Sequence, residues 1–249
     1  MKYDPTKTRS LREQYSKQLI NLYSEFGKQI VEPLTMFVQL QQQLKTKKKT
    51  MAINFNINQI LEISIEKNIN QPSKKIILKN IVQAYKKGSK DAKNKLPDEN
   101  KPLIPSERLT PIDYEVITLL QENNYNRIKD CSNSMKDAIT YSCTKGIING
   151  WGADKIAYEI RNSIEGNSNM GIVRAKMIAR TEIITAYNQG AETQYKAAGL
   201  TRKQMIWITA IDERTCDECI GNDEKTIDEI GELPPVHPNC RCSIAPNPD

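Results

Sequence analysis

A cluster of cysteines near the carboxy terminus constrains this chain more than any other feature. Four of the six cysteines and the only histidine lie between positions 216 and 242. Cys216 and Cys219 form a C-x-x-C pair, whose spacing lets two thiolates converge on one tetrahedral ion. His237, Cys240 and Cys242 would supply the second pair. A zinc-binding module near residues 204–249 is therefore predicted, since so short a segment has little hydrophobic core of its own.

Five candidate ligands compete for the four positions of a tetrahedral site. The preferred set is Cys216, Cys219, His237 and Cys240. His237 and Cys240 are chosen because they repeat the two-residue spacing of the first pair. Cys242 is the substitute for His237, and an all-cysteine set stays open. Arg214 and Arg241 lie beside candidate ligands, where they would offset the negative charge of the bound thiolates.

A structural role for zinc is preferred over the other chemistries that these residues allow. Disulfides and free thiols are alternatives, but the amino terminus lacks the apolar stretch of a secretory signal, which favours a reducing compartment. A catalytic zinc needs an open coordination position and a nearby base, whereas the single histidine is already a candidate ligand. The zinc-deaminase signature and phosphate-binding glycine motifs are also absent from the sequence. We therefore expect no enzyme activity.

The two ends of the chain carry opposite charge. The net charge of +6 is the sum of two opposite contributions. Residues 1–103 contain 20 basic and 9 acidic residues, whereas residues 104–249 contain 16 basic and 21 acidic residues. Basic segments can neutralise phosphates without base specificity, although scattered lysines more often form a solvated face. No apolar run approaches the roughly 18 residues that a membrane span requires. The sequence thus allows contact with nucleic acid or an acidic protein and predicts no membrane partner.

The first third of the chain has apolar residues at helical spacing. Helices are predicted over residues 11–31, 57–69 and 73–88. Pro33 is expected to end or kink the first helix, and Pro72 to break the second from the third, with Ser73 as a cap. Residues 39–50 lack an apolar face and are expected to form a loop or a frayed helix end.

A proline-rich linker is predicted at residues 97–111, which separates a helical, basic region at 1–96 from the segment 112–249. Thr110 is expected to cap a helix that runs to Gly150 and buries Cys131 and Cys143 on one stripe. Further helices are predicted at about 153–164 and 172–199, followed by a strand at 204–210. The residues after that strand are turn-rich, so no later helix is expected.

Three motifs in the second half carry a resemblance to a known family. They are Ala179-Arg180-Thr181-Glu182, Asp212-x-Arg214-Thr215-Cys216-x-x-Cys219 and His237-Pro238-Asn239-Cys240-Arg241-Cys242. In this order, and with a tryptophan strand between the first two, they resemble the carboxy-terminal domain of the phage Mu F-like minor head proteins, also called phage head morphogenesis proteins. The resemblance runs from about Leu109 to Pro246 and identifies residues 112–249 as this domain.

The resemblance implies a minor capsid protein of a tailed virus or prophage. It implies the portal protein and other head proteins as partners, the virion head as the location, and the host cytoplasm as the site of assembly. The implied role is procapsid assembly, DNA packaging or DNA delivery, without catalysis. Residues 1–96 are then the candidate contact with the portal or packaged DNA.

Two other functions are weighed against this one. A zinc-dependent nuclease or hydrolase acting on DNA would need an open metal position. A free-standing nucleic-acid-binding zinc module would need basic residues around the metal, but the segment between the two ligand pairs is acidic. We therefore keep the hydrolase as the alternative and disfavour the nucleic-acid-binding module.

The predicted fold is mainly α, with a helical amino-terminal region, long helices and a small zinc-bound α+β module at the carboxy terminus. The motif residues that are expected to have structural roles are Arg180, Thr181, Glu182, Trp207, Asp212, Arg214 and Arg241. Arg180 and Glu182 are two apart on a helix and point to different faces, so each is expected to brace a different neighbour. We expect their helix to pack on the strand, with Trp207 buried between them.

Overall fold

Helices make up most of the protein. The computed structural model describes residues 4–46, 57–102, 108–165 and 171–247. The α-helices are α1 (Arg9–Thr46), α2 (Ile57–Ile65), α3 (Gln71–Lys95), α4 (Pro111–Asn149), α5 (Ala153–Glu165), α6 (Ile172–Ala197), α7 (Asp217–Asn222) and α8 (Ile227–Ile230). Strands β1 (Met205–Ile208) and β2 (Ser243–Pro246) pair antiparallel. The predicted fold class, mainly helical with a small carboxy-terminal sheet, is confirmed.

None of the helices in these described ranges is both long and apolar enough to cross a membrane. By internal contacts the chain divides into two compact units. The first comprises Met1–Ser16, Ile77–Asn124 and Met177–Asp249, and the second comprises Lys17–Ile76 and Tyr125–Lys176. Each unit therefore contains segments from both halves of the sequence. The division into a region at 1–96, a linker at 97–111 and a domain at 112–249 stays a prediction.

The predicted buried stripe of α4 forms part of the core of the second unit. Ile128, Cys131, Met135, Ile139 and Cys143 are all fully buried. Burial raises the pKa of the Cys143 thiol to about 11, so this cysteine stays neutral and packs as a small hydrophobic side chain. The prediction that Cys131 and Cys143 are core residues is confirmed.

The start of α4 is capped as predicted. The Thr110 N–H donates to Asp113 Oδ2 at 2.6 Å, and the Asp113 N–H donates to Thr110 Oγ1 at 3.3 Å. This reciprocal pair satisfies two backbone donors at the helix start. Tyr85 on α3 donates its hydroxyl to the other Asp113 oxygen at 2.6 Å, which ties the cap of α4 to α3 within the first unit.

The first helix continues past Pro33 and through residues 39–46, so the expected helix end at Pro33 and the expected loop at 39–46 are wrong, while a kink at Pro33 stays a prediction. Pro33 lies inside α1, and the helix continues to Thr46. It does not end at Pro33 because Ile30, Leu34 and Val38 on both sides of the proline are buried, and that burial offsets the cost of about 3 kcal/mol for an interior proline. Residues 39–46 are therefore helical rather than loop, and residues 47–50 lie outside the described residues.

Pro72 does not separate two helices. A π-helical turn at Glu66–Asn70 joins α2 directly to α3, and Pro72 is the second residue of α3. Ser73 donates its hydroxyl to the Asn70 carbonyl at 2.7 Å instead of capping a new helix. The expected break at Pro72 and the expected cap at Ser73 are both wrong.

The turn-rich segment after β1 does contain helix, contrary to expectation. It forms the short helices α7 and α8. A capping box between Thr226 and Glu229 starts α8, and Gly231 ends it with a φ of 84°, which glycine adopts without strain. Strong local caps therefore produce helices of one or two turns that residue periodicity cannot reveal.

Two glycines allow α3 and α6 to approach closely within the first unit. A Cβ atom on Gly88 would lie 1.9 Å from the carbonyl oxygen of Tyr187. A Cβ atom on Gly190 would lie 2.1 Å from the carbonyl oxygen of Tyr85. Each helix thus places a glycine against the other helix's backbone, which cannot move aside as a side chain could.

We expect Gly88→Ala and Gly190→Ala each to lower the free energy of unfolding by about 1–3 kcal/mol or more, because the added methyl group overpacks a backbone contact. Gly221→Ala on α7 is the control, since no heavy atom beyond its chain neighbours and its own helix backbone lies within 4 Å of its Cβ position. Urea unfolding monitored by circular dichroism measures the difference. Equal stability of all three variants would contradict the close approach.

Candidate metal centre

The first pair of cysteines lies at the amino-terminal end of α7. Cys216 is the N-cap residue, and its Sγ accepts a hydrogen bond from the Cys219 N–H at 3.5 Å. Thr209, which directly follows β1, donates its hydroxyl to the Cys219 carbonyl at 2.7 Å and its N–H to Asp223 Oδ1 at 2.8 Å. These bonds hold both ends of α7 against the segment after β1.

The second group of donors begins with a tight turn. The Cys240 N–H donates to the His237 carbonyl at 3.2 Å, and Asn239 between them has a φ of 65°. Asparagine and glycine tolerate this left-handed conformation better than other residues. His237 Nδ1 lies 2.9 Å from the Pro238 carbonyl oxygen. Because that oxygen can only accept, Nδ1 carries the proton in this contact and Nε2 presents its lone pair.

The five candidate donor atoms lie close together. His237 Nε2 is 3.2 Å from Cys216 Sγ and 3.1 Å from Cys219 Sγ, and Cys219 Sγ is 3.8 Å from Cys240 Sγ. The atoms form two groups that share Cys219, one with Cys216 and His237 and the other with Cys240 and Cys242, each within 4.8 Å. Tetrahedral zinc with Zn–S bonds of about 2.3 Å spaces its sulfur ligands about 3.8 Å apart. The donor types and this sulfur spacing fit zinc, so the cluster could bind a metal ion.

The donors differ in burial and in their tendency to ionise. Cys219, Cys240 and Cys242 are each only 2% exposed, whereas Cys216 and His237 are half-buried. Burial raises the pKa of the Cys219 thiol. Hydrogen bonding between Cys240 and Cys242 raises the pKa of Cys240 and lowers that of Cys242 to about 6. A divalent ion would counter the mutual repulsion of these thiolates, because it binds the deprotonated form.

All five candidate ligands are therefore brought together, including the alternative. Cys242 Sγ also lies 3.9 Å from Thr209 Oγ1. The choice of Cys216, Cys219, His237 and Cys240 as the four ligands stays a prediction, with Cys242 as the alternative.

Asp212 connects the two motifs that carry the candidate ligands. Arg241 donates to both of its carboxylate oxygens, at 2.7 and 2.5 Å. Arg214 donates its backbone N–H at 2.9 Å and its guanidinium at 3.2 Å. These bonds hold the pKa of Asp212 well below its usual range. Both arginines are thus paired with a carboxylate, and their effect on the charge of the metal centre stays a prediction.

The residues of the first motif lie on α6 and have different environments. Arg180 is exposed, and its guanidinium lies 3.4 Å from Asn239 Oδ1 in the turn between His237 and Cys240. Thr181 donates its hydroxyl to the Met177 carbonyl of its own helix at 3.0 Å, and Glu182 is buried. The contact between Arg180 and Asn239 is consistent with bracing of the metal centre by Arg180, which stays a prediction.

Trp207 is fully buried, as expected. It belongs to one hydrophobic cluster with Ala191 and Tyr195 of α6, and with Ile244, its partner across the sheet. Cys219, Cys240 and Cys242 belong to the same cluster. The candidate metal centre is therefore continuous with the core that attaches the sheet to α6.

Two residues that contact the candidate centre, Thr209 and Asn188, are not predicted from the sequence. Asn188 on α6 is fully buried and donates Nδ2 to the carbonyls of Pro234 and Cys242, at 3.1 Å each. The position of Asn188 in the sequence could have indicated its burial. Asn188 lies at helical spacing between Ile184, Ala191 and Tyr195, in an otherwise apolar stripe. A polar residue at such a position needs a buried partner.

Comparison with protein families identifies the region that carries these motifs. Residues 137–245 match the model of the family described as Phage Mu protein F like protein. Over these residues the match confirms the resemblance seen in the sequence, while residues 109–136 of that resemblance lie outside it. That family is generally structural rather than catalytic and is associated with phage head morphogenesis. The comparison with curated proteins and the comparison with solved structures each returned no match.

We expect the protein to bind one zinc ion per chain, and Cys219→Ser to weaken binding most because Cys219 belongs to both donor groups. The loss should exceed the roughly 10- to 100-fold cost of removing an outer-shell partner. Competition with a chromophoric chelator measures the affinity. Cys143→Ala, outside the cluster, is the control.

The same titration distinguishes the ligand sets. His237→Ala should weaken zinc binding more than Cys242→Ala if His237 is a ligand. If Cys242→Ala weakens zinc binding more than His237→Ala, Cys242 rather than His237 is the fourth ligand. A wild-type protein that binds no zinc would contradict the metal centre itself.

Proposed function

We propose that this chain is a minor head protein of a tailed phage or prophage, which binds the portal and assists procapsid assembly, DNA packaging or DNA delivery. The observation that carries the proposal is the family match over residues 137–245, a range that includes all five candidate metal ligands. Its partners would be the portal and other head proteins. It would be located in the virion head and, during assembly, in the host cytoplasm.

Zinc would have a structural role in this protein. The five candidate donors form two groups that share Cys219, and a tetrahedral ion needs only four ligands, so side chains alone could fill every coordination position. A hydrolytic zinc would instead keep one position for water and place a base beside it. This donor set supports an assembly function over the alternative, a zinc-dependent nuclease or hydrolase.

The basic amino-terminal region, residues 1–96, would contact the portal or packaged DNA. Lys67 and Lys75 are exposed there, and neither has an ion pair with a described acidic residue. Exposed lysines of this kind bind acidic surfaces through charge with little geometric demand. They offer a way to test the region without disturbing the core.

Purified particles provide the first test of the proposed function. We expect mass spectrometry to find this chain in particles at a low, fixed ratio to the portal protein, far below the major capsid protein. Presence in assembly intermediates at the same ratio would support a role in head assembly. Absence from particles and from intermediates would contradict the proposal and favour the hydrolase alternative.

A charge-reversal pair locates the partner surface. We expect Lys67→Glu with Lys75→Glu to weaken association with the portal protein, because the change removes favourable charge from the basic region. Lys176→Glu with Lys203→Glu is the matched control, since both lysines are exposed and lie outside residues 1–96. Co-sedimentation at two salt concentrations measures association. A larger loss in the control pair would place the contact in the carboxy-terminal half.

Charge reversal is a cleaner test than deletion of the region. Gly88 of α3 lies against the backbone of Tyr187 on α6 in the first unit. Removing the first hundred residues would therefore expose the face of α6 that α3 covers. Surface substitutions usually change stability by no more than about 0.5 kcal/mol, so a loss of association can be assigned to charge.

A further inference from the structure

A single buried amide binds both ends of the segment that presents the second group of candidate ligands. Asn188 Nδ2 lies 3.1 Å from the Pro234 carbonyl oxygen and 3.1 Å from the Cys242 carbonyl oxygen. A primary amide nitrogen carries two N–H donors, so it can serve both carbonyls at once. The segment between these carbonyls contains His237 and Cys240. Asn188 thus closes the ligand-bearing segment into a loop anchored on α6.

This loop, residues 234–242, has little regular structure of its own to hold its shape. Its described residues contain turns and bends but neither helix nor strand. The backbone bond from Cys240 to His237 fixes the turn in the middle. The positions of the two ends relative to α6 depend on contacts such as those of Asn188, which is fully buried. Buried hydrogen bonds of this kind are costly to lose, because the carbonyls would remain without water.

We propose that Asn188 is a positioning residue of the metal centre: it holds loop 234–242 in its ligand-presenting conformation before the metal binds. The inference rests on the proposed metal centre and goes beyond it by assigning metal affinity to a residue that cannot be a ligand. Binding to a preorganised site is tighter because less conformational entropy is lost on binding. Removing such an outer-shell contact typically reduces metal affinity about 10- to 100-fold.

The competing explanation is that Asn188 stabilises the fold in general. Asn124 provides the matched control, because it is also fully buried in the first unit and its amide oxygen accepts a hydrogen bond from the Tyr15 hydroxyl at 3.0 Å. The hydrogen bond between Asn124 and Tyr15 involves no residue of loop 234–242. A general stability effect would affect metal binding in both variants alike.

The experiment compares full-length Asn188→Ala and Asn188→Asp with Asn124→Ala and the wild type. Asn188→Asp keeps the shape of the side chain but removes both N–H donors and places carboxylate oxygens against the two carbonyls. Zinc affinity is measured by chelator competition. Cobalt substitution reports ligand geometry through its d–d and thiolate charge-transfer absorption, and urea unfolding of the metal-free proteins measures stability.

We expect both Asn188 variants to bind zinc about 10- to 100-fold more weakly and to alter the cobalt spectrum, while Asn124→Ala keeps wild-type affinity and spectrum. Asn188→Ser is the substitute if the alanine variant does not fold, because its hydroxyl retains one donor. Wild-type affinity in the Asn188 variants, or an equal loss in Asn124→Ala, would overturn the positioning role. Absence of zinc binding by the wild type would instead overturn the proposed metal centre.

Discussion

The attachment of the carboxy-terminal sheet to α6 is the interaction on which the candidate metal centre depends. Two strands of four residues and two helices of one or two turns bury too little apolar surface to fold alone. Trp207 supplies the largest fully buried side chain of this region and packs with Ala191 and Tyr195 of α6. The close contact of α3 with α6 through Gly88 and Gly190 in turn supports that helix.

The candidate metal ligands are part of the same core. Cys219, Cys240 and Cys242 are buried in the cluster that contains Trp207, so their thiols contribute packing and potential metal ligands at the same positions. A buried thiolate without a positive partner is unfavourable, and burial raises the pKa of Cys219 accordingly. Metal binding and folding are therefore expected to be coupled, since the ion stabilises the thiolates only in the folded arrangement.

Local patterns explain which features the sequence could predict. The C-x-x-C pair, the His-x-x-Cys turn and the cap of Thr110 each depend on residues within three positions, and the structure places them as expected. The expected helix end at Pro33 and the expected break at Pro72 do not occur, because distant packing and a π-helical turn outweigh the local preference of proline.

Contacts between residues distant in sequence explain most of what was missed. Asn188 binds carbonyls 46 and 54 residues away, and no local pattern reveals such a pairing. The two compact units are likewise built from segments that are far apart in the chain. Periodicity can thus place a residue on a buried face, but it cannot identify the group that the residue meets there.

The charge of the surface around the candidate metal centre decides what this part of the protein can contact. Most of the exposed charged residues in the segment 214–232 are acidic: Asp217, Glu218, Glu224, Asp228, Glu229 and Glu232. The exposed basic residues of that segment are Arg214 and Lys225. Phosphates would be repelled there, because each exposed carboxylate adds to a negative local potential. The proposed contact with packaged DNA is therefore expected on another surface of the protein, and the basic excess of residues 1–103 would supply the positive charge for it. A module with this surface charge is better suited to contact a basic protein surface than a nucleic acid.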